Sequence, residues 1–262
     1  MNLELAGKRA LVCGASQGIG RAVALELALL GAGVTLFGRN LESLEQVRRA
    51  LATKPDQAHH VLVADFSRPE EVKSAIDKHL AATGAINILI NNTGGPSPGP
   101  AHLADTSLFL AAFNQHLICN QLLVQALLPG MKASHYGRII NIISTSVKQP
   151  IANLGVSNTI RGAVASWAKT LAGELGRFGI TVNNVLPGST DTARLGAIVD
   201  NKVAKSGKTR DEVVVDEKAV IPLGRFAQPE ELAYAVAFLP SPAGAYITGI
   251  NLPVDGGRTT CL

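Results

Sequence analysis

Gly14-Ala15-Ser16-Gln17-Gly18-Ile19-Gly20 decides the fold. It ends a short apolar run, Lys8 to Gly14 (KRALVCG), and opens a helical pattern, Gly18 to Leu30 (GIGRAVALELALL). A buried strand that turns through glycines into a helix is the first half of a β-α unit. Gly14 permits the tight turn, Gly18 lets the backbone come close to a bound group, and Gly20 lets the helix pack tightly on the strand. The amides that open such a helix lack partners within it and carry partial positive charge, so the turn reads as a cradle for a diphosphate.

The same alternation continues along the chain. Strands are expected at Gly33 to Phe37, Val61 to Asp65, Ile86 to Asn91, Arg138 to Ile143, Thr181 to Leu186 and Asn251 to Val254. Between them run helices from Asn40 to about Leu51, from Pro69-Glu70-Glu71 onward, from Ser107 to Lys132, from Asn153 to Leu175 and from Pro229 to Leu239. Repeated β-α units with short turns require right-handed crossovers. The expectation is an α/β chain: a single doubly wound, mostly parallel Rossmann-type sheet over residues 1–262, with helices on both faces. Thr190 to Val220 interrupts the rhythm, polar and helical in parts; it reads as a substrate lid or as a surface insertion without function.

Composition narrows the function. With 262 residues, 47% hydrophobic and 17% charged, the chain can bury a large core. A net charge of +4 without a dense basic run, and 4% aromatics, argue against nucleic-acid binding. Cys13, Cys119 and Cys261 show no CxxC spacing and read as small apolar fillers in a reduced compartment, not as metal ligands or a disulfide. The first strand begins almost at once, leaving no room for a signal peptide, and no apolar run reaches the roughly 20 residues of a membrane span. A cytoplasmic protein with a small-molecule substrate and no membrane partner is expected.

The glycine spacing resembles the short-chain dehydrogenase/reductase family. So do Asn91-Asn92-Thr93-Gly94 after the fourth strand and Pro187-Gly188 after the sixth. Ile247-Thr248-Gly249 and Val254-Asp255-Gly256-Gly257 complete a match that runs in order over essentially the whole chain. The resemblance implies that Ser16, Gln17 and Ile19 line the phosphates. Asp65 and Phe66 would frame the adenine, Asn92 and Gly94 flank the ribose side, and Pro187, Gly188, Thr190 and Thr192 hold the nicotinamide end. It also implies a homodimer or homotetramer, packed through the helices around Leu108–Leu128 and Asn153–Leu175, although those faces also read as intramolecular core.

The end of the second strand, Gly38-Arg39-Asn40, carries no acid to accept from a ribose 2′-hydroxyl, and Arg39 can pair a phosphate bidentately. NADP(H) is therefore expected rather than NAD(H).

The family's catalytic set comprises an Asn, a Ser, and a Tyr and Lys spaced as Tyr-x-x-x-Lys. Ser144 ends the fifth strand in the place of the Ser, but the Tyr and Lys positions hold Ser157 and Arg161. None of Tyr136, Tyr234 and Tyr246 has a lysine four residues on. Counting back from Gly137 places His116 where the Asn would sit, with Asn114 and Asn120 close by. A serine hydroxyl lacks the acidity of a phenol, whose pKa is about 10, and arginine stays protonated. Arg161 can still donate to the nicotinamide ribose and stabilise developing negative charge. Three readings follow: an atypical NADP(H)-dependent oxidoreductase, with Ser144, Ser157, Arg161 and His116 at its site; a non-redox dehydratase or isomerase; and a dinucleotide-binding sensor or partner subunit without turnover. The long insertion favours an enzyme.

Overall fold

The computed structural model describes residues 1–55 and 57–261. The first β-α-β unit is β1 (Arg9–Cys13), α1 (Gly18–Leu29) and β2 (Gly33–Gly38). Next come α2 (Leu41–Ala50), β3 (His60–Val63), α3 (Pro69–Thr83) and β4 (Ile88–Asn91). Among the described residues seven strands form one sheet in the order β3-β2-β1-β4-β5-β6-β7, every neighbouring pair parallel. Here β5 is Gly137–Ile142, β6 Ile180–Pro187 and β7 Asn251–Val254. The sequence expectation of a doubly wound sheet is met, and the strands are wholly rather than mostly parallel.

Strand polarity in sequence fixes which face each residue covers. Val12, Leu36, Ile90, Ile140 and Val185 meet α1, α2 and α9 (Pro229–Phe238) on one side. Leu11, Leu89, Ile139 and Val182 meet α3, α5 (Cys119–Ala133) and α6 (Gly155–Leu175) on the other. Alanines bring α1 close to α9: Ala24 and Ala28 are wholly buried, and Ala233 and Ala237 nearly so. Chain order reverses between β1 and β4, so their carboxyl ends flank the crevice where such sheets take ligands.

Two departures from the sequence expectation bear on that crevice. The single helix expected over Ser107–Lys132 is α4 (Thr106–Phe113), a π-helical turn at Asn114–Ile118, and then α5. The wider turn re-aims the residues it contains, and places His116 inward while Asn114 stays exposed. Cys13 and Cys119 are buried fillers as expected, whereas Cys261 is exposed because it lies on the terminal segment beyond the sheet.

A polar ladder crosses the sheet near its carboxyl edge. Asn91 donates to Asn141 (2.8 Å), Asn141 to Asn184 (2.9 Å) and Asn184 to Asn251 (2.8 Å). These asparagines are register partners on four adjacent strands, so each amide lies opposite the next. No helix among the described residues is long and apolar enough to cross a membrane.

The insertion between β6 and α9 is a helical hairpin, α7 (Ala193–Ser206) and α8 (Arg210–Ala219). Gly207 turns the chain in the left-handed region, and Thr209 with Glu212 forms a capping box. Leu195, Val199 and Val213 give the hairpin its own small core.

Asn141→Ala leaves the Asn91 donor and the Asn184 acceptor without their partner, at a cost of about 2 to 5 kcal/mol. Chemical denaturation reads it directly; a loss under half a kilocalorie would mean the ladder carries no stability. A second expectation concerns pH. His79 shares a 3.0 Å hydrogen bond with Thr35. Burial, then His60 and Arg9, push its pKa down to about 4. An unfolded imidazole protonates near 6.5, so between those values the unfolded chain binds more protons and stability falls as pH drops. Denaturation midpoints measured from pH 7 down to pH 4 should decline, and His79→Gln should make the decline shallower. An unchanged slope would show that the acid sensitivity resides elsewhere.

Candidate functional site

At the β1–α1 turn, Gly14 sits at φ +60° and Gly18 at φ +55°. A Cβ on Gly20 would lie 2.2 Å from the Gly14 carbonyl oxygen, and one on Gly14 would lie 2.5 Å from that of Asn92. Only glycine permits both approaches. Asn92, just beyond β4, donates its side-chain amide to the carbonyls of Cys13 (3.2 Å) and Gly14 (3.4 Å). One side chain thus ties the two strands together at the point where chain order reverses. Gln17 stands at the helix N-cap with extended backbone and no side-chain cap, so the opening amides of α1 are left to a ligand. Half-buried Ser16 and exposed Gln17 border them, while Ile19 packs on the core below. A cradle that a Cβ would fill, beneath uncapped amides, fits the diphosphate of a dinucleotide.

The adenosine end expected from sequence lies at the tips of β2 and β3. Arg39 is exposed and, among the described residues, joins no ion pair. Asp65 accepts from the Ser67 amide at 2.9 Å, and that bond holds its carboxyl below the usual range. Phe66 does not offer its ring: it is 5% exposed and tilts against Phe37 with centroids 4.9 Å apart. Its carbonyl accepts from the buried Cys119 thiol. Asn92 is likewise committed to the glycine turn through its side-chain amide, while Gly94 is open on the surface.

The opposite end gathers Ser144, Ser157, Arg161 and His116. Ser144 lies just past β5, caps the short turn Thr145–Val147 and accepts from the Ser146 amide at 3.1 Å. Ser157 and Arg161 stand one turn apart on α6 and so share a face. Arg161 donates to the Ile142 carbonyl at 3.2 Å, which anchors this face beside the end of β5. Ser157 is 8% exposed, and its hydroxyl makes no hydrogen bond among the described residues. Burial, then Arg194, lowers the Arg161 pKa to about 10, so the guanidinium stays charged at neutral pH. His116 shares a 2.6 Å hydrogen bond with Thr93 through Nδ1, and its Nε2 is buried without a partner. Burial, then Arg161 and Arg194, pushes its pKa down to about 2. The imidazole is therefore neutral at ordinary pH.

Pro187 and Gly188 leave β6 beside β7, the Gly188 amide donating to Val254 at 3.0 Å. Thr190 is buried, and Thr192 caps α7 by accepting from the Leu195 amide (3.4 Å). The Thr192 methyl lies 3.3 Å from where a Gly18 Cβ would point, bringing this segment onto the phosphate cradle. The sequence reading overlooked Arg194, which begins α7 and reaches to the Gly95 carbonyl (3.2 Å), as well as Thr93 and the asparagine ladder. Only the ladder left a signal: amides recurring inside INILIN, RIINII and TVNNVL, where an apolar strand is otherwise continuous. Among the described residues no cluster of His, Cys, Asp and Glu could hold a metal ion.

Comparison with known proteins agrees with this geometry. The family profile described as Enoyl-(Acyl carrier protein) reductase matches residues 14–259. The NADPH-dependent reductase BacG of Bacillus subtilis is 32% identical over 251 residues, covering 95% of this chain and 97% of that protein. The crystal structure of L-sorbose reductase from Gluconobacter frateurii, complexed with NADPH and L-sorbose, superposes with a TM-score of 0.93 at 29% identity, covering all of both chains. A gluconate 5-dehydrogenase from Burkholderia cenocepacia, in complex with NADP and tartrate, superposes with a TM-score of 0.86 at 30% identity over 100% of this chain and 98% of its own. With the switch-point cradle, the strand order and a profile match over nearly its whole length, the chain belongs to the short-chain dehydrogenase/reductase family of oxidoreductases.

Proposed function

We propose that the protein is an NADP(H)-dependent oxidoreductase that interconverts a carbonyl compound and its alcohol, the reacting oxygen being held by Ser144, Ser157 and Arg161. One observation carries the reading. On a single face of α6, an uncommitted hydroxyl stands one turn from a buried, charged guanidinium whose protein partner among the described residues is a main-chain carbonyl.

Bound NADP(H) supplies or accepts the hydride. The amides opening α1, with Ser16, Gln17 and Ile19, hold its diphosphate, and Arg39 pairs the 2′-phosphate. Asp65 and the Phe66 backbone frame the adenine, with Asn92 and Gly94 beside the ribose. Pro187, Gly188, Thr190 and Thr192 hold the nicotinamide end, and Arg161 donates to its ribose hydroxyls. Relatives whose names or structures specify NADPH or NADP support this choice.

Ser157 and Arg161, standing at the Tyr and Lys positions of the family motif, set the chemistry. The serine hydroxyls orient the reacting oxygen but are too weakly acidic to protonate it alone. Arg161 stabilises the negative charge that develops there, in a site where few water molecules compete. The proton comes from water, passed along the Ser144 and Ser157 hydroxyls. His116 positions the Thr93 loop as a neutral imidazole. The α7–α8 hairpin closes over this end as the lid, excluding bulk water. Exposed Leu103, Leu108, Leu110 and Phe113 around α4 are covered by a second copy in a homodimer or homotetramer.

Fluorescence titration should show NADPH binding more tightly than NADH by about tenfold or more, with Arg39→Ala removing the difference. Tighter NADH binding by the unaltered protein would sink the assignment of Arg39. Turnover of a carbonyl panel, followed at the nicotinamide absorbance, should show kcat independent of pH between about 6 and 9, since Arg161 titrates at about 10 and His116 at about 2. Arg161→Ala should lower kcat/KM by about 100-fold. A bell-shaped profile centred on neutrality, or full activity without Arg161, would place the chemistry on other groups.

A further inference from the structure

Two guanidiniums stand at this end of the crevice, and no carboxylate among the described residues pairs with either. Arg161 comes from α6 and is 8% exposed. It spends one N–H on the Ile142 carbonyl, and among the described residues its Nε and Nη2 find no protein acceptor. Arg194 comes from the other wall, at the start of α7, and reaches across to the loop after β4. Its Nη1 donates to the Gly95 carbonyl at 3.2 Å and its Nη2 to the Pro96 carbonyl at 3.5 Å. A Cβ on Gly95 would lie 2.7 Å from Nη2, so a side chain there would displace the guanidinium from its present position. The same loop carries Thr93, bonded to His116. That loop therefore holds Arg194 on one side and, through Thr93, the buried His116 imidazole on the other, and both arginines lower the His116 pKa.

Every ion pair among the described residues is made elsewhere: three along helices α2 and α3, three across the α7–α8 hairpin and one before α9. Buried cations are ordinarily paired, because desolvating a charge without compensation costs several kcal/mol per ion (roughly). The Ile142 carbonyl offsets part of that cost for buried Arg161, and exposed Arg194 adds a second positive charge that no carboxylate among the described residues pairs. The cofactor's phosphates have their own donors, at the opening of α1 and at Arg39.

We propose that the missing negative charge arrives with the substrate: Arg161 and Arg194 clamp a carboxylate close to the reacting carbonyl, so that the protein takes oxo acids (and their hydroxy-acid counterparts) rather than neutral ketones. The planar fork of each guanidinium matches the two oxygens of a carboxylate. The proposal rests on the hydride-transfer reading above, and Arg194 acts in it as a specificity residue that touches the substrate away from the reacting atoms.

Calorimetry on the protein saturated with NADP⁺ tests the clamp without turnover, because an oxo compound beside oxidised cofactor cannot react. The probes are 2-oxobutanoate, 4-oxopentanoate and 4-formylbenzoate, each against its methyl ester. At least one acid should bind about tenfold or more tightly than its ester. Arg194→Ala should abolish that preference through loss of acid affinity, Arg194→Lys should restore part of it, and the Kd of NADP⁺ should stay within twofold in both variants. The acid that binds should also be the one that oxidises NADPH, with Arg194→Ala raising KM more than it lowers kcat. Esters binding as well as acids across the panel would overturn the proposal. So would an Arg194→Ala variant that loses NADP⁺ affinity with the acid preference intact, since the arginine would then belong to the cofactor. Failure of NADP⁺ to bind the unaltered protein would count against the oxidoreductase reading itself, a different result from either.

Discussion

The structure depends on how closely β1, α1 and β4 approach one another at the point where chain order reverses. Gly20 touches the Gly14 carbonyl, Gly14 touches Asn92, and Asn92 ties down the carbonyls that end β1. Remove the room for that contact and α1 tilts away from the sheet, taking with it the uncapped amides that face the crevice. The rest of the site is hung on this knot. Thr192 packs on Gly18, so the segment leaving β6 is positioned from the same place, and Arg194 follows it two residues later.

Electrostatics divides the crevice into two ends with different needs. At the glycine turn the available positive charge is that of uncapped main-chain amides, which need no titrating group and respond little to pH. At the opposite end the charge is that of the Arg161 side chain, held at about 10, beside His116 at about 2, both displaced chiefly by burial. Burial acts in the same direction on both because it disfavours the charged form of a base. The arginine remains a cation because its ordinary pKa is so high, whereas the histidine is left neutral. The chain thus reaches a fixed positive field by a route that needs no group titrating near neutrality.

Much of the fold was legible because it rests on periodicity. Each strand and helix of the sheet followed from apolar spacing and from glycine or capping residues such as Asn40, whose side chain accepts from the Ser43 amide at 2.9 Å. The site was legible where a motif names a backbone requirement, as in Gly14–Gly20 and Pro187–Gly188. It was less legible where a side chain has two possible duties. Phe66 and Asn92 stand at the expected positions, yet one fills the core against Phe37 and the other holds the glycine turn. The π-helical turn at Asn114–Ile118 left no mark in the hydrophobic pattern, although it decides that His116 rather than Asn114 points inward. Arg194 was invisible as a site residue, since its partners, Gly95 and Pro96, are about a hundred positions away along the chain.

The amino-acid sequence by itself determined the class of fold, the glycine turn between β1 and α1 and the four-residue spacing of Ser157 and Arg161, because these are properties of local spacing and residue chemistry. Only the tertiary structure decided which of those groups carry charge and what they face. Burial and the distance to a neighbouring cation are set by packing between α5, α6 and α7, elements far apart in the chain, and a pKa follows the surroundings of a side chain rather than its neighbours in sequence.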